Sequence, residues 1–122
     1  MPTYSNANPP LALYPGDVGF SFSNETPAGG SAGAQFALPQ PAGFPEEGRA
    51  VRWQTLFASA PNAVSLSLQA AMADVDAEYA TLDTSTATAG EARTVTGVRA
   101  KFLRIKCNSA TGGSGFTAKM LP

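Results

Sequence analysis

Histidine is absent from this 122-residue chain, and cysteine occurs once, at position 107. Without histidine the usual zinc, haem, Cys-His and Ser-His-Asp sites are excluded, and one cysteine excludes a disulfide within the chain. Charged residues are scarce, at 14%, and unevenly placed. Residues 1–48 hold Asp17, Glu25, Glu46 and Glu47 and no lysine or arginine; residues 49–122 hold all eight basic residues against five acids. The first segment thus carries −4 and the second +3, so the two are electrostatically complementary. The net charge of −1 gives no general attraction to nucleic acid or to an anionic membrane, and neither is expected as a partner. No apolar run reaches bilayer length and no basic n-region opens the chain, so neither a membrane span nor a standard signal peptide is expected. Cys107, in an apolar alternation, is expected to be a small buried hydrophobe. No cofactor is implied.

What the chain does have is concentrated by region. Eight of the ten prolines and seven of the twelve glycines fall in residues 1–48. Asp17–Ser23 places Val18, Phe20 and Phe22 at alternate positions and suits a short strand. The rest of this segment reads as extended or turning chain. Yet Tyr4, Tyr14, Phe20, Phe22, Phe36 and Phe44 are more aromatic anchors than a solvated linker carries. The expectation is an extended arm over 1–48 that orders against another surface, each aromatic filling a pocket in a partner.

Residues 49–122 read as a separate β-sandwich domain. Val51, Trp53, Thr55 and Phe57 alternate with polar residues, which places Trp53 in the core. Val64, Leu66, Leu68, Ala70 and Met72 alternate with Ser65, Ser67 and Gln69. Those polar members are small and uncharged, so their face is expected to be covered. Residues 70–78 fit either a strand end with an acidic turn (Asp74, Asp76, Glu78) or a helix of one or two turns. Tyr79–Asp83 reads as a short strand and Thr84–Ala92 as a loop. Val98–Cys107 is expected to be the central strand, its apolar phase slipping by one at Phe102-Leu103 through a β-bulge. A loop at Asn108–Gly115 and a closing strand at Phe116–Leu121 complete an all-β, antiparallel sandwich or partly closed barrel.

Candidate chemistry is thin. Asp74, Asp76 and Glu78 lack the glycine and terminal glutamate of a calcium loop and read as a solvated acidic turn. Glu46 and Glu47 have no partner to fix them as an acid–base pair. Gly112–Gly115 lacks the lysine and helix of a phosphate loop. The sharpest feature is the basic row Arg99, Lys101, Arg104 and Lys106. It reads either as a surface for an acidic partner or as the solvated face of a strand guarded against edge pairing.

Taken in order, the strands at Arg52–Phe57, Val64–Gln69, Tyr79–Ser85, Val98–Cys107 and Gly113–Leu121 resemble small jelly-roll proteins of tailed-bacteriophage virions. More distantly they resemble the discoidin-like sandwiches of carbohydrate- and surface-binding modules. The resemblance is carried by Tyr79-Ala-Thr-Leu-Asp-Thr, by Gly97-Val-Arg-Ala-Lys-Phe-Leu-Arg-Ile and by the glycine-rich turn before the last strand, and covers roughly residues 49–121. It implies a jelly-roll-like fold and a non-enzymatic virion protein, a capsid decoration or cement protein made in the host cytoplasm. Implied partners are copies of itself, commonly as a homotrimer, and the major capsid protein or other virion proteins. The alternatives are a tail or neck component and a carbohydrate- or surface-binding module, although the loops lack the aromatic residues such modules display.

Overall fold

The structure is a computed structural model that describes residues 11–14, 16–38 and 48–122. The strands are β1 (Leu11–Ala12), β2 (Gly19–Glu25), β3 (Ser31–Ala32), β4 (Phe36–Ala37), β5 (Arg49–Ser59) and β6 (Ala63–Ala71). A 3-10 turn at Asp76–Glu78 precedes β7 (Ala80–Ser85), β8 (Glu91–Val98), β9 (Phe102–Thr111) and β10 (Ser114–Leu121). One sheet has the order β1-β4-β9-β6-β7, with β3 also on β9; the other has the order β2-β10-β5-β8. Every pair is antiparallel except the two-residue β1–β4 contact.

These orders define a jelly roll. The chain is one long hairpin whose midpoint is the β6–β7 connection. β7 returns along β6, β8 along β5, β9 along β3 and β4, and β10 along β2. Rolling this hairpin brings β10 beside β5 and β9 beside β6. The period-two pattern then directs Val51 and Trp53 of β5, Leu66 and Leu68 of β6, Leu103, Ile105 and Cys107 of β9, and Phe116, Ala118 and Met120 of β10 into one core. The all-β sandwich expected from the sequence is present, and Trp53 is buried as its phase requires.

Three local expectations are revised and one open alternative is decided. First, Val98–Cys107 is not one bulged strand. β8 ends at Val98 in the four-stranded sheet, residues 99–101 cross the sandwich, and β9 starts at Phe102 in the other sheet. The phase slip marks a change of sheet. Second, of the two alternatives for residues 70–78 the strand end with an acidic turn is the one present, with a single 3-10 turn in the connection, because no side chain caps that turn and it is too short to propagate. Third, the loop expected at Asn108–Gly115 is mostly strand, and only Gly112 and Gly113, both at positive φ, make the turn. Fourth, Phe20 and Phe22 lie on opposite faces. The β2–β10 register slips at Ser21, since Ala118 pairs Phe22 and the next residue, Lys119, pairs Phe20. This bulge points both Ser21 and Phe22 inward and leaves Phe20 outside.

The expected division into an arm (1–48) and a sandwich (49–122) is redrawn among the described residues, because β2, β3 and β4 are strands of the sandwich itself. The Ser21 hydroxyl accepts from the Ile105 amide at 2.9 Å and donates to the Ala34 carbonyl at 2.9 Å, filling the gap between β3 and β4 along β9. A Cβ on Gly33 would collide with the Ser21 backbone, so this crossing of β2 over the β3–β4 link requires glycine. Leu13, Phe22, Phe36 and Leu38 are buried in the shared core. At about 1.5–3 kcal/mol each, they contribute roughly 6–12 kcal/mol, comparable with the whole stability of a domain, about 5–15 kcal/mol. A chain beginning at residue 49 is therefore expected not to fold alone, as read by circular dichroism and thermal melting. A cooperative melt of that fragment near the Tm of the full chain would contradict this.

Candidate interaction surfaces

The basic row expected on one strand is divided by the fold. Arg99 and Lys101 are exposed in the crossing between sheets, and Lys106 is half-buried on the outer face of the six-stranded sheet opposite Ser67. Arg104 is buried, and the expectation that it meets a partner is corrected. Its Nε donates to Gln69 Oε1 at 2.9 Å, its guanidinium pairs with Asp76 Oδ1 at 2.6 Å, and it stacks 4.0 Å above the Tyr79 ring. Tyr79 in turn donates its hydroxyl to Asp74 Oδ1 at 2.9 Å. The β6–β7 connection is thus folded back over the outer face of this sheet and held by one arginine. It covers Gln69, which is why that face could carry small uncharged residues.

The aromatic candidates also separate. Phe22 and Phe36 fill this chain's own core and are unavailable to a partner, which corrects their assignment as docking anchors. Tyr14 and Phe20 are exposed, at 57% and 46%. Tyr4 and Phe44 lie outside the described residues.

One exposed apolar surface was singled out in the sequence only through Phe20. On the outer face of the four-stranded sheet, Lys119 lies between Phe20 and Gln54, and Leu121 pairs Arg52. Val18, Phe20, Leu56 and Leu121 all stand exposed there. Between them runs a groove of about 250 Å³ lined by Val18, Arg52, Gln54, Lys119 and Leu121, with Trp53 and Met120 at its floor. Arg52 donates to Thr94 Oγ1 at 3.1 Å, and the Lys119 ammonium sits 5.8 Å from the Phe20 ring centre. Neither cation is in an ion pair among the described residues. A second shallow groove of about 260 Å³ lies at the turn end of the six-stranded sheet, bordered by Met72, Glu78, Leu82 and Arg99. The signal for the first face was legible in part, since Leu56 and Leu121 are out of phase with their buried neighbours Trp53 and Met120.

A polar cluster closes the sandwich where the edge strands β7 and β8 approach. Asp83 Oδ2 accepts from Arg93 Nε at 2.7 Å and from the Trp53 indole at 3.1 Å, and Glu91 accepts from Arg93 and from Ser85. The Arg93 hydrogen bond, against partial burial and with help from Trp53 and the Thr84 amide, holds the Asp83 carboxyl below the usual carboxylate range. The same bond raises Arg93. Cys107 is wholly buried, and desolvation pushes its thiol up, the opposite of an activated nucleophile. Among the described residues no group of three or more Cys, Asp or Glu is placed to hold a metal ion. These polar groups join sheets and connections to one another. Comparison with protein-family models, curated proteins and solved structures finds no match to this chain.

Because the folded pKa of Asp83 is depressed, its contribution to stability is complete above the unfolded value, about 3.9, and is lost as pH falls through the folded value. Asp83→Asn is expected to cost about 1 kcal/mol at neutral pH and to flatten the fall of Tm with acid. Trp53 fluorescence, which senses the lost indole partner, follows both. An unchanged acid limb in the variant would show that the cluster does not clamp the sheets.

Proposed function

We propose that this chain is a non-enzymatic structural protein of a tailed-bacteriophage particle, a capsid decoration protein. It is made in the host cytoplasm and acts in the virion, bound to copies of itself and to the major capsid protein. The observation that carries this reading is the pairing of a jelly-roll sandwich with an apolar sheet face left exposed among the described residues. The fold accords with the resemblance to small virion jelly rolls. A sheet face that exposes Val18, Phe20, Leu56 and Leu121 around Arg52 and Lys119 is the kind of surface that soluble proteins keep for association. The ionic side chains of Asp83, Arg93 and Arg104 are engaged within the fold, which suits a rigid building block. A carbohydrate-binding module is the weaker reading, since the inter-sheet loops at residues 60–62, 86–90 and 112–113 contain no aromatic residue to stack on a sugar.

Quantitative mass spectrometry of purified particles from the phage encoding this chain tests the proposal. A decoration protein is expected in copy numbers commensurate with the major capsid protein. A handful of copies per particle would assign the chain to the neck or tail, and absence from the particle would remove the virion reading altogether.

A further inference from the structure

The two exposed surfaces complement each other, and they lie on opposite sides of the sandwich. The outer face of the four-stranded sheet presents Val18, Phe20 and Leu121 with the cations Arg52 and Lys119. The β6–β7 connection, held over the six-stranded sheet through Asp76 and Arg104, presents Met72 and Val75, 73% and 46% exposed, among Asp74, Asp76 and Glu78. We propose that the β6–β7 connection of one copy docks on the four-stranded sheet face of another, so that copies of this chain associate head to tail.

Three observations select this occupant. Within one chain the buried core separates the two surfaces, so they can meet only between copies. Pairing the sheet face with itself about a two-fold axis would set Arg52 and Lys119 of one copy against those of the other, and like charges facing one another disfavour such an interface. The β6–β7 connection has the opposite character, with apolar side chains that fit an apolar groove and carboxylates at alternate positions beside them. Asp76 is engaged with Arg104 and Asp74 accepts from the Tyr79 hydroxyl, so the exposed Glu78 is the carboxylate that faces the two cations. A contact between two different surfaces is heterologous. It closes into a ring if the rotation permits and otherwise continues as a filament.

This deepens the reading of the chain as a self-associating building block, and its test needs no phage particle. A failed particle census would leave the contact standing, and a failed contact would leave the census untouched. Two multiple variants of the full chain are made, Arg52→Glu with Lys119→Glu to spoil the sheet face, and Met72→Ser, Val75→Ser with Glu78→Lys to spoil the connection. All five side chains are at the surface or its border, and circular dichroism checks that each variant keeps the β-sandwich; Leu121→Ser is a second, uncharged disruption of the face. By sedimentation velocity the wild type is expected above monomer mass, dissociating on dilution and with added salt. Each variant alone is expected to associate at least about tenfold more weakly. Mixed in equal amounts, the two variants are expected to form a one-to-one dimer, because each retains the half the other lacks. A wild type that stays monomeric at high concentration, variants that keep the wild-type mass, or a mixture that stays monomeric would each overturn the proposal.

Discussion

Two strands that lie inside their sheets, β9 and β10, need hydrogen-bond partners on both sides, and the chain can supply the second side only from its first third. β6 and β5 satisfy one side of each. On the other side, Gly30, Gly33 and Leu38 donate to the carbonyls of Cys107, Ile105 and Lys101, and the Ser21 hydroxyl receives the Ile105 amide. Leu103, Ile105 and Cys107 are wholly buried, so backbone groups left open beside them would carry the full penalty of an unmade bond. The proline- and glycine-rich composition of this stretch follows from its route. It must cross between sheets, approach other backbone closely and change direction within a few residues, which continuous strand cannot do.

Once the strands are nested in this way, the uses of the few charged residues follow. The sandwich has an open side where β7 and β8 belong to different sheets, and Asp83, Arg93 and the Trp53 indole join them there. The long connection at the hairpin midpoint would hang free without Arg104 and Tyr79 to hold it on the sheet. Among the described residues the four-stranded sheet receives no such cover. Its outer face keeps Val18, Phe20, Leu56 and Leu121 exposed around Arg52 and Lys119, and the proposed association rests on that face for this reason.

Much of the fold was legible because period-two burial is a local signal. Trp53 in phase with Val51, and Leu66 with Leu68, turned inward as the alternation required. The uncharged outer positions of β6 gave notice of a cover. Errors arose where a one-residue change of phase has two physical causes. At Phe102 the slip is a crossing between sheets, while at Ser21, where unbroken alternation was expected, it is a bulge. Arg104 was read as exposed, facing an acidic partner or solvent, because its ion partner Asp76 lies 28 residues away, across a connection whose path the sequence does not give. The nesting of β2 to β4 against the last two strands was hidden for the same reason. Composition marked that stretch as irregular, and pairing between the first and last thirds of a chain leaves no local trace. The candidate site was the least legible, since an exposed apolar face is visible only when the strands that share it are known.

The central claim is that residues 16–38 belong to the same cooperative structure as residues 49–121. Amide hydrogen exchange on the full chain, resolved by residue, tests it most directly. The account predicts that Gly33, Leu38 and the β2 amides facing β10 exchange about as slowly as the amides of β5 and β6, through global unfolding. Free exchange across residues 16–38 beside protected strands β5 to β10 would contradict it.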